Sequence, residues 1–438
     1  MFWQKFQRLR GHTLARVSKN AVVLLFAQTG ARILNLLLIA QLTRVLGAAA
    51  LGRYLLAMTA QAIALSIVDL GLNTYTTREY AKLETIHDAD NWGTLLSLKL
   101  VAALVGILVL NVLAVPVLND RWSLIAIISP SLLPDAYNAI ATALIKARQR
   151  MEISSAIQVG MRVLYVVAGG LLMWRGYDEH VLLATYGAVS LVGSIAFWSM
   201  LRSWRIPCRL GEILRGWRTV LRASIPFAIT STVAMLYTRL DLLLLSFWHG
   251  DTAAGLYGAA YRVWEALGII PSSFLDALFP ALSRESTRLA HTGRLRALYR
   301  RGRQLTWVVV IVLMVPAQLL AGVVSVLLYG DTADTPIYAN LLRVLLLAFP
   351  FTYLYLLNGH TLYALDRQRR VTGAMVAVTV ANALCNVLLV PRWSYAGAAV
   401  AKLLSEVLLF VLLQVMLGSS WHPNGADKST SAEPIPDG

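Results

Sequence analysis

The sequence predicts an all-α polytopic membrane protein, with twelve transmembrane helices in two six-helix lobes related by a pseudo-two-fold axis along the membrane normal. Three observations carry that prediction. The chain holds about a dozen long apolar segments, basic residues fill alternate gaps between them, and a short glycine motif recurs at the same connection in each half.

The segments fall near 20–46, 51–71, 92–115, 122–146, 153–174, 180–202, 222–248, 255–281, 304–329, 338–364, 371–390 and 394–418. A hydrocarbon core of roughly 30 Å takes about 20 helical residues, and each segment meets or nearly meets that length. Hydrophobic residues make up 57% of the chain and charged residues 14%, against roughly 25% charged in soluble domains. The first segment is too long for the apolar region of a signal peptide and carries Arg32 at its centre, so it is expected to be retained as a span despite the small residues Ala48–Ala50.

Orientation follows from the gaps. Of 39 Lys and Arg residues, 27 lie in one alternating set of gaps, including six arginines from Arg202 to Arg222 and seven from Arg284 to Arg303. The other set holds only Arg44, Arg53, Arg121, Arg175 and Arg392. Basic loops stay cytoplasmic, so both termini are predicted on that side and the number of spans is even. The expected organisation is a basic cytoplasmic N-terminus (1–19), an N-lobe (20–203), a cytoplasmic linker (204–221), a C-lobe (222–418) and a disordered, polar cytoplasmic tail (419–438). The net charge of +16 is distributed through these loops without an aromatic-rich basic domain, so it reads as orientation and contact with anionic lipid rather than nucleic-acid binding. Cys208 in a loop and Cys385 in a helix make no disulfide framework.

The repeat rests on Gly47-Ala-Ala-Ala-Leu-Gly52-Arg-Tyr54, between the first two helices, and Gly250-Asp-Thr-Ala-Ala-Gly255-Leu-Tyr257, between the seventh and eighth. Arg148-Gln-Arg150 after the fourth helix and Arg367-Gln-Arg369 after the tenth point the same way. Parallel repeats of this kind place a substrate site between the lobes near the midplane. Pro130, Pro134, Pro226, Pro271, Pro316 and Pro350 are candidate kinks within the helices.

Charges inside the spans are the candidate functional residues, because each costs at least ~2.5–3.5 kcal/mol at the bilayer centre unless it meets a partner or water. Gln28, Arg32 and Asn35 follow i, i+4, i+7 spacing and form a polar stripe at mid-depth of the first helix. Arg262 and Glu265 are i, i+3 neighbours on the eighth helix. Arg239 and Asp241, two apart on the seventh, face different directions and need partners elsewhere, with Glu265–Arg239 or Asp241–Arg262 as the available pairs. Asp69 ends the second span, while Lys99 and Arg343 lie near enough to helix ends to snorkel. Lys402 and Glu406 are i, i+4 and can neutralise each other, and Arg162 is central and isolated.

Neither a phosphate-cradling loop nor a nucleophile elbow is present, and no Cys/His spacing suits a metal, so no enzyme activity and no cofactor are expected. Asp88-Ala-Asp90 is the one enzyme-like string, and it reads as solvated loop.

At these residues the chain resembles the polysaccharide-transporter branch of the multidrug/oligosaccharidyl-lipid/polysaccharide exporter superfamily, the lipid-linked oligosaccharide flippases. Arg44-Val-Leu-Gly47, Gly52, Tyr54, Asp69-Leu-Gly71-Leu, Arg78 and Ala81 carry the likeness in the first half. Asp241, Gly255-Leu-Tyr257, Ala260, Arg262 and Pro280-Ala-Leu-Ser283 carry it in the second, with Pro391, Gly397-Ala-Ala and Glu406 near the end. The resemblance covers about residues 15–418. It implies a bacterial inner-membrane protein that moves undecaprenyl-pyrophosphate-linked oligosaccharide, an O-antigen or exopolysaccharide unit, from the cytoplasmic to the periplasmic leaflet by alternating access. A polysaccharide polymerase and chain-length machinery are the implied partners beside membrane lipid.

The related lipid II flippases use cavity arginines near the substrate pyrophosphate. Arg262 stands in a comparable A-x-R context, and Arg32 matches in helix and depth. Those flippases carry two further C-terminal helices for which 438 residues leave no room, so a different glycan is expected. The alternatives are a drug/cation antiporter of the same superfamily, which would favour acidic cavity residues, and a membrane glycosyltransferase or polymerase, which usually needs a larger extracytoplasmic loop than any predicted here.

Cysteines or reporter fusions at positions 120, 177, 252 and 334 are expected to report the periplasm, and those at 149, 210, 295 and 368 the cytoplasm. Positions 210 and 252 on one side of the membrane would remove the seventh span and the repeat with it.

Overall fold

A computed structural model describes residues 2–82, 92–118, 121–204, 216–286 and 292–421, and these residues form helices joined by short turns. The first half comprises α1 (Phe2–Val68), α2 (Leu72–Tyr80), α3 (Trp92–Leu118), α4 (Trp122–Ile128), α5 (Leu132–Ala147), α6 (Met151–Trp174) and α7 (Glu179–Ser203). The second comprises α8 (Trp217–Leu267), α9 (Ile269–Ser286), α10 (Thr292–Leu319), α11 (Ala321–Tyr329), α12 (Thr335–Ala364) and α13 (Gln368–Trp421). Among the described residues, nine helices are long and apolar enough to cross a membrane. Three of them, α1, α8 and α13, each contain one non-helical residue, at Gly47, Gly250 and Ser394. Each is therefore two rods joined by a sharp turn, and the rods number twelve, as the apolar segments predict.

Local chemistry explains the breaks. Gly47 and Gly250 hold φ of 82° and 80°, a backbone region closed to most L-residues and open to glycine. Ser394 takes φ 49° with a side chain present, three residues after Pro391. Asp69 ends the first long run; Leu70 (φ 50°) and Gly71 (φ 73°) then turn the chain into α2. The prolines act unequally. Pro130 sits in a short 3₁₀ turn, Ser129–Ser131, between α4 and α5, and Pro316 precedes the break between α10 and α11 by one turn. The helices run on through Pro226 and Pro350.

The glycine motif is where the halves meet. A Cβ added to Gly52 would lie 1.8 Å from the carbonyl oxygen of Asp251, and one added to Gly255 would lie 1.8 Å from the carbonyl oxygen of Ala48. Each motif thus presses its second glycine onto the backbone just after the first glycine of the other. The tyrosines that complete the motifs, Tyr54 and Tyr257, are both buried. The Arg-Gln-Arg strings are different: left-handed residues fall at Gln149 and Asp366, so the two strings are not in equivalent register around their turns.

Around this contact α1 packs on α8 and α6, and α13 packs on α12 and α8. At the motif end, Arg121 reaches across to Asp251 (2.9 Å) and Ser246, and Arg44 donates to the carbonyls of Leu327 and Leu328. At the opposite end a Cβ on Gly71 would meet the carbonyl oxygen of Ser224 at 2.2 Å. The outer faces are apolar. Val101, Leu104, Val105, Leu108 and Val112 on α3 are all exposed, as lipid contact requires where no water is available to polar groups. Asp88-Ala-Asp90, Cys208, most of the predicted linker and residues 422–438 lie outside the described residues.

Gly52→Ala and Gly255→Ala are each expected to destabilise the protein by about 1–3 kcal/mol, the usual cost of overpacking, read as a lower thermal midpoint in detergent. Gly373→Ala, where a Cβ meets nothing within 4 Å, serves as the neutral control.

Candidate functional site

The turn at Gly250 lays the two rods of α8 side by side, and this brings Arg239 on the first rod next to Glu265 on the second. Glu265 accepts from Arg262 at 2.5 Å and lies 3.7 Å from Arg239, so one carboxylate serves two guanidinium groups. The expected Glu265–Arg239 pair is present. The alternative Asp241–Arg262 pair is absent, because Asp241 instead accepts the hydroxyl of Tyr257 and the backbone N–H of Leu242.

A second charged group comes from α13. Lys402 and Glu406 are both buried and 2.7 Å apart. The ammonium also lies 4.4 Å from the ring centre of Tyr237 and 5.7 Å from that of Trp264, within reach of their π faces. The hydroxyl of Thr352 donates to Glu406 at 3.0 Å. Aromatic rings line the same region: Tyr261 stacks between Tyr257 and Trp264, with ring centres 5.9 and 5.3 Å away.

Arg239, Arg262, Glu265, Lys402, Glu406 and the rings of Tyr237, Tyr261 and Trp264 line one cavity of about 530 Å³, to which α1 contributes Asn35 and α6 contributes Arg162. Its walls therefore come from both halves of the chain. Among the described residues four cations (Arg162, Arg239, Arg262, Lys402) line it with two carboxylates (Glu265, Glu406), an excess of two positive charges. In a region screened from water such an excess is costly unless an anion or water offsets it.

Of the residues singled out from the sequence, Asn35, Arg239, Arg262 and Glu265 come together here. Gln28 and Arg32 lie on α1 with Asn35, but their side chains are outside the described residues. Asp69 is elsewhere, paired with Lys99, whose ammonium also donates to Asn73 at 3.1 Å. This corrects the snorkelling expected for Lys99. Its side chain is fully buried, because a carboxylate and an amide meet it inside the bundle. Arg343, by contrast, is exposed near its helix end and bonds Asn340 at 2.9 Å.

Sequence reasoning missed the place of Arg162, Lys402 and Glu406. The i, i+4 spacing of Lys402 and Glu406 correctly paired them, but it could not show that the pair faces the arginines. Arg162 had only its central depth to mark it. Among the described residues the first half holds two further buried carboxylates: Glu179, paired with Arg53, and Asp135, which accepts from Ser190, Gln61 (3.1 Å), Tyr186 (3.2 Å) and Ser131 (3.4 Å).

A helical membrane bundle whose halves enclose a charged cavity is the architecture of a multi-pass membrane transporter. Comparison with known proteins agrees: the chain belongs to the polysaccharide biosynthesis protein family, whose model matches residues 17–286. The probable flippase AglR of Haloferax volcanii is 25% identical over 280 residues, covering 61% of this chain and 55% of its own length. The chain thus matches about half the length of that curated relative. In fold it is similar to the lipid II flippase MurJ in an inward closed conformation, with a TM-score of 0.74, 18% identity, and 90% and 87% of the two chains covered. An inward-facing multidrug transporter of the MATE family, in the MOP superfamily, follows at 0.72, with 12% identity over 89% and 94%. An outward-facing transporter of that family scores 0.61, with 11% identity over 92% and 96%.

Asp69→Asn leaves the Lys99 ammonium without its charge partner and is expected to cost about 3–5 kcal/mol, the usual penalty for breaking a buried pair. Asp69→Leu combined with Lys99→Met is expected to recover most of the thermal midpoint. No recovery in the double variant would mean that the pair does more than neutralise itself.

Proposed function

We propose that this protein is a flippase that carries an undecaprenyl-pyrophosphate-linked oligosaccharide, an O-antigen or exopolysaccharide unit, from the cytoplasmic to the periplasmic leaflet of a bacterial inner membrane. The carrying observation is the cavity between the halves, with its excess of two positive charges. A pyrophosphate–sugar headgroup cannot cross hydrocarbon unaided, because its polar groups would find no partners there. A cationic cavity shelters that headgroup while the polyprenyl chain stays in lipid. Arginine suits the site: its planar fork grips phosphate oxygens two at a time and its charge persists at physiological pH. Glu265, shared by Arg239 and Arg262, holds both guanidiniums in place until the diphosphate arrives. Family membership and the named flippase relative support the same reading. The excess of cations argues against the drug/cation antiporter alternative, since a cationic cargo would be repelled.

Transport then proceeds by alternating access between two lobes, 20–203 and 222–418, related by an axis along the membrane normal, with both termini cytoplasmic. The reciprocal glycine contact, Gly52 on Asp251 and Gly255 on Ala48, supports that symmetry. The higher similarity to inward than to outward forms of related folds supports an inward state with the periplasmic end shut. In this scheme Arg32 joins Arg262 on the pyrophosphate and Asp241 belongs to coupling. A polysaccharide polymerase and chain-length machinery consume the product outside.

Arg262→Ala and Arg32→Ala should each slow surface glycan export roughly ten- to a hundredfold, the value of a charge-assisted hydrogen bond of about 1.5–3 kcal/mol. Membrane protein levels should stay normal. Lys at either position should rescue only partly, and Arg343→Ala should have little effect. Full export by the Arg32→Ala, Arg262→Ala double variant would sink the proposal.

A further inference from the structure

The first half contains a cavity that the charged site does not use. It measures about 620 Å³, within the range of about 300–1,000 Å³ typical of small-ligand sites. Its lining differs in kind from that of the arginine cavity. Six neutral polar side chains face it from α2, α5 and α6, including Asn73, Thr77, Asn138, Thr142 and Gln158. Its charged groups are Arg78, Lys146 and Asp135, and Asp135 is already enclosed by four neutral donors. Amides and hydroxyls both donate and accept, which is the chemistry that matches sugar hydroxyls.

These groups also retain capacity. Gln158 donates its amide to Thr142 at 3.1 Å, and Asn73 spends its carbonyl on Lys99. Among the described residues, no partner takes the carbonyl oxygen of Gln158 or the amide nitrogen of Asn73. A third cavity, of about 360 Å³, shares Asp135, Gln158 and Met161 with this one and Arg162 with the arginine cavity. The polar lining therefore extends by shared residues from Arg262 to Asn73.

We propose that the α2–α5–α6 cavity is the glycan subsite: Asn73, Thr142 and Gln158 bind hydroxyls of the sugars nearest the lipid while the pyrophosphate lies on the arginines. This rests on the flippase reading and adds to it where the saccharide sits. Arg162, which lines both the arginine cavity and the cavity between the two, marks the junction of diphosphate and first sugar. The site selects the cargo by its sugars, and the arginines bind the part that every such lipid shares.

The test compares two probes on the purified full chain in nanodiscs: undecaprenyl pyrophosphate without sugar, and the lipid-linked oligosaccharide fraction extracted from the cells that make the protein. The variant is Thr142→Val with Gln158→Leu, which removes both partners of one hydrogen bond and so leaves neither unpaired. The wild type should hold the sugar-bearing lipid more tightly than the bare one. The variant should hold the sugar-bearing lipid about tenfold more weakly, the value of one or two hydrogen bonds, with an unchanged thermal midpoint and unchanged affinity for the bare lipid. Arg262→Ala should weaken both probes. Unchanged affinity of the variant for the sugar-bearing lipid, or equal weakening of both probes, would overturn the subsite and leave the flippase reading standing. A wild type that binds neither lipid would overturn both.

Discussion

Two backbones touch where Gly52 lies on the carbonyl of Asp251 and Gly255 lies on that of Ala48, and no side chain of any size fits between them. Most of the architecture depends on that approach. It brings α1 and α8 together at one end, and the left-handed glycines Gly47 and Gly250 fold each of those helices back on itself there. With the ends pinned, the two helices contribute opposite walls of the space behind the contact. Asn35 therefore lines the same cavity as Arg239 and Arg262. Arg121 on Asp251 and Arg44 on the carbonyls of Leu327 and Leu328 reinforce the same end with interactions that can be broken and remade.

The bilayer imposes the second constraint, and the structure meets it by two different means. Some charges are cancelled locally and completely: Lys99 with Asp69, deep in the first half, is sealed from solvent. Others are undercompensated by design of the cavity, where Glu265 is divided between two arginines. Asp135 follows a third course, held by neutral hydroxyls and an amide through four hydrogen bonds. A sealed pair leaves no net charge, whereas a carboxylate shared by two arginines leaves one positive charge unmatched.

The helical membrane class of the protein was legible in the chain because it depends on quantities that sequence records directly. Span length follows from the rise of a helix and the hydrocarbon thickness it has to match. The glycine motif was legible for a related reason. A left-handed turn and a backbone contact each demand glycine at one position, so Gly47 and Gly52 recur as Gly250 and Gly255. The Arg-Gln-Arg strings satisfy no such steric demand, and their register around the turn does not repeat.

By itself, then, the sequence determined about a dozen long apolar helical segments, the glycines at the connections near Gly47 and Gly250, and the short list of charges that had to find partners inside the bundle. Only the tertiary structure decided which charges meet. Depth along a helix is written in residue number, but rotation and lateral neighbours are set by packing among helices distant in sequence. That is why Arg162, isolated on α6, belongs to the same cavity as Arg262, and why Lys99 is sealed inside rather than extended to a headgroup. It is also why, of the two available pairs, Glu265 meets Arg239 while Asp241 takes a tyrosine hydroxyl instead of Arg262.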